Sequence, residues 1–265
     1  MTQNKVFLII KKLIPSKIKK IIKKIIFGNV EEVDLIFNLI KEKKGIMLDV
    51  GAHYGSSLEP FINYDWDVHA FEPSDKNRYY LNKEYSNKKK LHIYPVGVSD
   101  KTMSAVNFYE AEVSSGISTI GKFHPQHKVT QKINLISLTD FIEEKKLLKI
   151  DFLKIDTEGY DFFVLKGVPW KLIRPSVILC EFEDKKTQVH GYSYLDMYNY
   201  LLSKNYIVLM SEWDPIEEYG KTHKWNRLVK CPAETLSKNS WGNFIAFDAN
   251  EYNDAILSDF IKTFN

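Results

Sequence analysis

Three acidic side chains follow a predicted buried strand near the middle of the chain. The strand Phe152–Ile155 leads directly into Asp156, and Glu158 and Asp161 come within the next turn. Acids at the carboxyl end of a parallel strand face the crevice in which α/β proteins bind ligands. Capping of the following helix explains part of this pattern. Three acids so close together are hard to explain by packing, and they predict a binding or catalytic site that uses negatively charged side chains.

A glycine-rich turn follows the first predicted strand, in the sequence DVGAHYG from Asp49 to Gly55. Gly51 permits a tight turn and close approach of a ligand to the backbone, and Gly55 lets the next helix begin close to the sheet. Asp49, Gly51, Ala52, His53 and Gly55 are therefore candidate ligand contacts. The G-x-x-x-G spacing differs from the G-x-G-x-x-G of dinucleotide sites and favours a nucleoside without a pyrophosphate.

A further acid ends the second predicted strand. Glu72, in the sequence HAFEP, stands where a carboxylate accepts both ribose hydroxyls of a nucleoside. Together with the turn at Asp49, 23 residues earlier, it favours S-adenosylmethionine as the ligand. The alternative is a tight turn followed by a solvated acid. Val98 ends the third predicted strand and is expected near the adenine ring, the alternative being a surface turn.

Methyl transfer from S-adenosylmethionine to a hydroxyl needs a group that removes the hydroxyl proton. The candidate catalytic residues are Asp156, Glu158, Glu181 and His190. Glu181 ends the next predicted strand, so it is expected to face the same crevice as Asp156. His190 lies in the loop after that strand, where a solvated histidine is the simpler interpretation. Asp156 and Glu181 also offer oxygen ligands for Mg²⁺, which leaves a metal-assisted reaction open beside a protein base.

The elements that must position these residues alternate between strands and helices. A helix is predicted at Glu31–Lys44, and the alternation in Ala105–Tyr109 and Ile133–Ile136 predicts a small antiparallel excursion. Alternating strands and helices indicate a mostly parallel sheet with helices on both faces. The predicted strands of this sheet are Ile46–Val50, Val68–Phe71, His92–Val98, Phe152–Ile155, Val177–Phe182, Ile207–Met210 and Phe244–Phe247.

Charge is distributed unevenly along the 265 residues. Residues 1–30 contain eight lysines and no acid, whereas the remaining chain has 29 basic and 34 acidic residues, a net charge of −5. Nucleic acid is therefore excluded as an expected partner, because phosphate contacts need a basic surface. We expect a basic extension at residues 1–30 and one domain at residues 31–265.

The basic extension has the pattern of an amphipathic helix. Its isoleucines recur at helical spacing from Ile18 to Ile26, and lysines occupy the other face. Such a helix either binds an anionic membrane surface through residues 1–27 or packs its isoleucines on the domain. No segment is apolar enough to span a membrane, and two cysteines cannot form a disulfide framework. The expected location is the cytoplasm, either free or at the inner face of the membrane.

The motifs together resemble the FkbM-type family of class I methyltransferases. The resemblance covers roughly residues 45–250 and is carried by Asp49–Gly55, by FEP at 71–73, and above all by KIDTEG at 154–159 with LKG at 165–167. This chain departs from the family pattern at His53, where Asn is usual, and at Asp161, where Glu is usual.

The resemblance implies a Rossmann-like, seven-stranded, mostly parallel sheet whose last strand, near Asn243–Asp248, is antiparallel. It also implies S-adenosylmethionine-dependent methylation of a hydroxyl on a sugar, in surface glycan or glycolipid biosynthesis. Trp213 and Trp225 are the aromatic candidates for stacking on a sugar acceptor. The alternatives are methylation of a non-sugar metabolite and a non-catalytic, membrane-associated nucleoside-binding protein.

Overall fold

The computed structural model describes residues 32–262, with 112–113, 123, 217–222, 231–235, 237–238 and 240 excepted. The predicted basic extension at residues 1–30, and with it the choice between membrane binding and packing, lies outside these residues. Within the described part of the chain, no helix is both long and apolar enough to cross a membrane.

The described elements alternate as the sequence predicts. The strands are β1 (Ile46–Val50), β2 (Asp67–Phe71), β3 (Leu91–Tyr94), β4 (Gly97–Ser99), β5 (Met103–Ala111), β6 (Ser114–Thr119), β7 (Lys128–Ser137), β8 (Ile150–Ile155), β9 (Pro175–Phe182), β10 (Tyr206–Trp213), β11 (Trp225–Lys230) and β12 (Trp241–Asp248). The α-helices are α1 (Glu32–Ile40), α2 (Glu59–Asn63), α3 (Asp75–Tyr85), α4 (Leu138–Lys145), α5 (Asp161–Lys166), α6 (Asp184–Thr187), α7 (Tyr194–Ser203) and α8 (Asp254–Lys262). Short 3₁₀ turns follow α1 at Lys41–Lys43 and α6 at Gln188–His190.

The main sheet has the order β11-β10-β12-β9-β8-β1-β2-β3. Strands β3, β2, β1, β8 and β9 are parallel, and β12 runs antiparallel between β9 and β10. The Rossmann-like fold with an antiparallel last strand is thus confirmed. Strand β11 adds an eighth strand at the edge beside β10. Its sequence WNRLVK lacks the apolar run that marks the buried strands, because an edge strand keeps polar side chains exposed.

The predicted strand His92–Val98 is in fact two strands in two sheets. Pro95 separates β3, which pairs with β2, from β4, which pairs with β7 in a second sheet of order β4-β7-β5-β6. Proline has no backbone N–H to donate to a sheet, so the ladder breaks there. The antiparallel pairing of β5 with β7 confirms the predicted excursion, whereas β6 was not predicted.

The core lies on both faces of the main sheet. Alternate residues of a strand point to opposite faces, so Leu153 of β8 packs with helices α4, α5 and α7, whereas Phe152 packs with α1, α2 and α8. The predicted helix Glu31–Lys44 is α-helical over Glu32–Ile40 and continues as a 3₁₀ turn to Lys43, and the left-handed φ of 44° at Lys44 ends the helical run. The two-sided core holds the carboxyl ends of β1, β2 and β8 at one edge.

Candidate functional site

A cleft opens between the carboxyl ends of β1, β2 and β8 and the smaller sheet. It encloses about 870 Å³ of empty space, counting its open mouth. Six residues predicted from the sequence line it: Gly51, His53, Glu72, Val98, Asp156 and Glu158. Lining residues that were not among the predicted contacts include Asn77 from α3, Phe108 from β5, Thr119 from β6, and Lys154 and Thr157 beside Asp156.

The glycine turn is a left-handed loop and not the start of a helix. Gly51, His53 and Gly55 have φ values of 82°, 49° and 85°, and α2 begins only at Glu59. The helix predicted to follow the turn therefore begins later than Gly55, because positive φ values are incompatible with a right-handed helix. A Cβ atom on Gly55 would instead fall 2.6 Å from side-chain atoms of α3. Glycine here permits close packing of the loop on α3.

Close backbone contacts hold the turn against β2. The N–H groups of Gly51 and Ala52 both donate to the carbonyl oxygen of Phe71, at 3.0 Å each. Ala52 is buried, whereas Gly51 and His53 line the cleft. Burial lowers the pKa of His53, with Lys154 acting in the same direction and Asp156 opposing it.

Glu72 joins the turn to the segment after β2. Its Oε2 accepts the His53 N–H and its Oε1 accepts the Ser74 N–H, both at 2.8 Å. The side chain is buried but lines the cleft, and burial raises its pKa while these N–H donors oppose that rise. A carboxylate oxygen has more than one lone pair, so each oxygen is able to accept a further hydrogen bond from a ligand hydroxyl.

Asn77 places a second polar group beside Glu72. Its side chain is 2% exposed and lines the cleft, and its Oδ1 atom has no hydrogen-bond partner. Buried polar atoms are rarely left unpaired, so an orphan in a cleft marks a place for a ligand donor. The sequence offered no signal for Asn77, because a single Asn in the first turn of a helix is common.

Lys154 forms an ion pair with two acids beneath the glycine turn. Its Nζ lies 3.2 Å from Asp49 Oδ1 and 3.3 Å from Asp156 Oδ2, and it donates to the Gly51 carbonyl oxygen at 3.1 Å. Asp49 is fully buried and also accepts the Ser57 hydroxyl at 2.6 Å. Burial by itself lowers the pKa of Lys154, but the two carboxylates raise it above its ordinary value. Asp49 thus supports the turn from below, whereas Asp156 lines the cleft.

Glu158 and Glu181 share a buried lysine. Lys186 Nζ lies 2.6 Å from Glu158 Oε2, 3.0 Å from Glu181 Oε2 and 2.9 Å from Glu183 Oε2. Burial raises the pKa of Glu158 to about 7, although Lys186 opposes this, and it raises the pKa of Glu181 well above its ordinary value.

The predicted Mg²⁺ ligands therefore do not fit a metal ion. Oxygen atoms of Asp156, Glu158 and Glu181 do come within 4.8 Å of one another. The Lys186 ammonium, however, contacts both oxygens of Glu181, at 3.2 and 3.0 Å, and so supplies the positive charge at this place. The sequence could not reveal this, because Lys185 and Lys186 are adjacent and alike, and only the fold buries one of them.

Asp161 holds the turn after β8 against β9. Its Oδ2 accepts the N–H and hydroxyl of Thr157, at 3.2 and 2.8 Å, and its Oδ1 accepts the Glu181 N–H at 3.1 Å. Burial raises its pKa to about 6, Asp156 adds to the rise, and the Thr157 donors oppose it. This third acid of the motif positions Glu181 and the turn, and it is not among the lining residues of the cleft.

His190 lies outside the described lining of the cleft. Its ring packs against Tyr160 and against the backbone of Gly121, where a Cβ atom would fall 1.8 Å from the imidazole. Burial lowers its pKa. The aromatic candidates also lie elsewhere: Trp213 in β10 donates to Glu32 Oε1 at 2.9 Å, and Trp225 in β11 donates to Ser211 Oγ at 3.0 Å. Their indole N–H groups thus make hydrogen bonds at the β11–β10 end of the main sheet.

Comparison with known proteins gives one family match. A family model described as the methyltransferase FkbM domain matches residues 49–208, more than half of the chain. No curated protein gives a significant match.

Several solved structures are similar to this chain at low sequence identity. An O-methyltransferase from Bacillus cereus with SAH is 14% identical and has a TM-score of 0.41, covering 82% of this chain and 81% of that one. A putative methyltransferase from Streptococcus mutans with SAH is 9% identical, with a TM-score of 0.46 and coverage of 83% and 99%. An rRNA methylase from Streptococcus thermophilus is 7% identical, with a TM-score of 0.44 and coverage of 82% and 93%.

The family match includes the glycine turn, Glu72 and the acidic motif after β8, and Gly51, His53, Glu72, Asp156 and Glu158 of these segments line the cleft. The chain therefore belongs to the FkbM-type family of S-adenosylmethionine-dependent methyltransferases.

Proposed function

We propose that this methyltransferase transfers a methyl group from S-adenosylmethionine to a hydroxyl of a sugar, in surface glycan or glycolipid biosynthesis. One observation carries the proposal: the carboxylates of Asp156 and Glu158 line the same cleft as Glu72 and the glycine turn. A nucleoside-binding half and an acidic half thus meet in one cavity. An acid beside the reacting hydroxyl is what O-methylation requires of the protein.

The described residues fit S-adenosylmethionine as the ligand of this cleft. Phe71, Val98 and Phe108 give an apolar wall suited to the adenine ring. Glu72 and the orphaned Oδ1 of Asn77 offer acceptors for the ribose hydroxyls. The bound cofactor supplies the electrophilic methyl group, and the protein has to align the acceptor hydroxyl and remove its proton.

Glu158 is the best-placed base. Its pKa, raised to about 7, leaves a sizeable share of the carboxylate ready to accept a proton near neutral pH. Asp156, which lines the cleft and is partly exposed, is placed to bind the cationic part of the cofactor and to orient the acceptor. Glu181 is bound to Lys186 and does not line the cleft, so it is not our choice of base. His190 packs against Tyr160 outside the lining of the cleft, so it is not chosen either.

The resemblance to the family supports a sugar acceptor, and the negative charge of the body argues against nucleic acid. The placement of Trp213 and Trp225 away from the cleft removes one argument for sugar stacking. A non-sugar metabolite therefore remains the second candidate. A nucleoside-binding protein without turnover is the third, and the same experiment separates all three.

The test is a screen of sugars, nucleotide sugars, lipid-linked glycans and small hydroxylated metabolites with radiolabelled S-adenosylmethionine. We expect label in a sugar-containing acceptor, with S-adenosylhomocysteine formed in equal amount. The Asp156→Asn variant is the control and should lose most turnover. Label only in non-sugar metabolites would reject the sugar. Cofactor binding without any S-adenosylhomocysteine would favour the third candidate.

We further propose that residues 1–27 hold the enzyme at an anionic membrane surface, near a lipid-linked acceptor. The support is their eight lysines without an acid. Deletion of these residues should abolish sedimentation with phosphatidylglycerol vesicles and leave turnover of a soluble acceptor intact. A truncated protein that is insoluble would show instead that the isoleucines pack on the domain.

A further inference from the structure

We propose that Lys186 is a built-in counter-cation that takes the place of a divalent metal ion and positions Glu158 for proton removal. Its ammonium contacts Glu158, Glu181 and Glu183 at distances between 2.6 and 3.2 Å. The inference rests on the proposed role of Glu158 as the base. Lys186 itself does not line the cleft, so it is a positioning residue.

The arrangement has the charge and spacing of an occupied cation site. Three carboxylates from two segments of the chain converge on one point, and like charges so close together repel unless a cation lies between them. The Lys186 side chain is 3% exposed, and the side chains of Glu181 and Glu183 are 10% and 6% exposed. Water therefore screens these charges poorly, so the three groups stay ionised together only with a positive charge at their centre, whatever its chemical identity.

The backbone around Lys186 is held in place on two sides. Its N–H donates to the Glu183 carbonyl oxygen at 2.8 Å within α6. A Cβ atom on Gly159 would fall 3.0 Å from the Lys186 Cβ, so the turn after β8 packs directly on this helix. The Tyr192 hydroxyl donates to the Gly159 carbonyl oxygen at 2.7 Å and so fixes the turn that packs on Lys186. The ammonium is thereby held at a set position relative to Glu158.

This contact determines which oxygen of Glu158 serves the reaction. Lys186 contacts Oε2, so Oε1 is the oxygen available to a hydroxyl in the cleft. A Mg²⁺ ion at this point would be coordinated by oxygen atoms of these carboxylates and of solvent. Lys186 instead orients the Glu158 carboxylate and leaves it able to accept a proton. The proton then moves from the acceptor hydroxyl to Glu158 without exchange of a metal ligand.

The test replaces the ammonium by an isosteric apolar group and asks whether a metal takes its place. In Lys186→Met, Mn²⁺ should bind with one equivalent by electron paramagnetic resonance and raise the melting temperature, reversed by EDTA. Wild type and Lys186→Arg should show neither effect. Lys185→Met is the matched control, since Lys185 is an exposed neighbour on the same helix, and it should behave as wild type.

The measurements use no methyl acceptor, so their failure is distinct from a failure of the proposed function. Mn²⁺ binding to the wild type that Asp156→Asn or Glu181→Gln abolishes would overturn the proposal. So would a folded Lys186→Met that melts as wild type does and binds no metal. If Lys186→Met is insoluble, Lys186→Met/Glu183→Gln carries one charge fewer and answers the same question. Unchanged affinity for S-adenosylmethionine in the folded variant would show that Lys186 does not act through the cofactor.

Discussion

Gly51 lies directly against the backbone of Asp156, so that the glycine turn and the acidic motif share one contact. A Cβ atom on Gly51 would fall 1.9 Å from the Asp156 carbonyl oxygen, and Gly51 also has a φ of 82°. The Asp156 N–H in turn donates to the Val50 carbonyl oxygen at 3.0 Å. The two motifs that carry the site are therefore locked together by backbone contacts that exclude any side chain at position 51.

Replacement of Gly51 by alanine should weaken cofactor binding more than any other single methyl addition in the loop. The alanine is strained by about 1–3 kcal/mol at this left-handed φ. Its Cβ also clashes with the backbone carbonyl of Asp156, which belongs to the sheet edge and resists displacement. Gly191→Ala is the matched control, because Gly191 has a φ of 78° with nothing within 4 Å of its Cβ position. Unfolding in urea and calorimetry with S-adenosylmethionine should show the larger loss for Gly51→Ala. Equal losses would mean that the contact with Asp156 contributes nothing.

Removal of the Lys154 ammonium should destabilise the fold. Lys154→Met leaves the buried Asp49 carboxylate without its cation, which costs about 3–5 kcal/mol when a buried pair is broken. Lys149→Met is the comparison, since its pair with Asp151 is largely exposed on the lysine side and should contribute less than about 1 kcal/mol. Chemical denaturation of both variants checks the difference. A Lys154→Met protein as stable as the wild type would contradict the prediction.

Loss of the Glu72 carboxylate should weaken cofactor affinity by about 1–3 kcal/mol, as for other charged hydrogen-bond partners. The residue accepts the His53 N–H as well as facing the cleft, so Glu72→Ala also loosens the glycine turn. Calorimetry with S-adenosylmethionine measures the effect, and Glu84→Ala on the exposed face of α3 serves as the control. Wild-type affinity in folded Glu72→Ala would remove Glu72 from the site.

Glu158 should make both stability and turnover depend on pH. Its pKa is raised by burial from 4.5 to about 7, so between these values the folded protein retains a proton that the unfolded chain has released. The contribution of Glu158 to the free energy of unfolding therefore falls as pH rises through this window. Turnover rises over the same window, because the base must be ionised.

The variant Glu158→Gln tests this assignment. Its free energy of unfolding should fall less between pH 5 and pH 7 than that of the wild type, and its turnover should drop about a hundredfold, as for a lost general base. Denaturation at several pH values and a pH–rate profile give the two readouts. A variant with the wild-type profile for both would assign the titration to another group.

Much of the fold follows from local pattern. Apolar runs such as Ile46–Val50 and Phe152–Ile155 are buried on both faces of a parallel sheet, so they stand out in the sequence. Strand β11 and the division at Pro95 did not stand out, because an edge strand is half polar and a sheet boundary depends on which partner each segment finds.

The sequence alone determined that the glycine turn, Glu72 and Asp156 would lie at one cleft. Gly51, Glu72 and Asp156 each directly follow a strand of one parallel sheet, and the carboxyl ends of parallel strands meet at one edge whatever the details of packing. The partners of the acids were decided by the tertiary structure. Lys185 and Lys186 are neighbours of the same type, yet only Lys186 is turned inward to three carboxylates, while Trp213 and Trp225 are taken up by packing at the sheet edge. Burial and charge pairing depend on contacts between segments that are distant in sequence, so the pattern of neighbouring residues does not predict them.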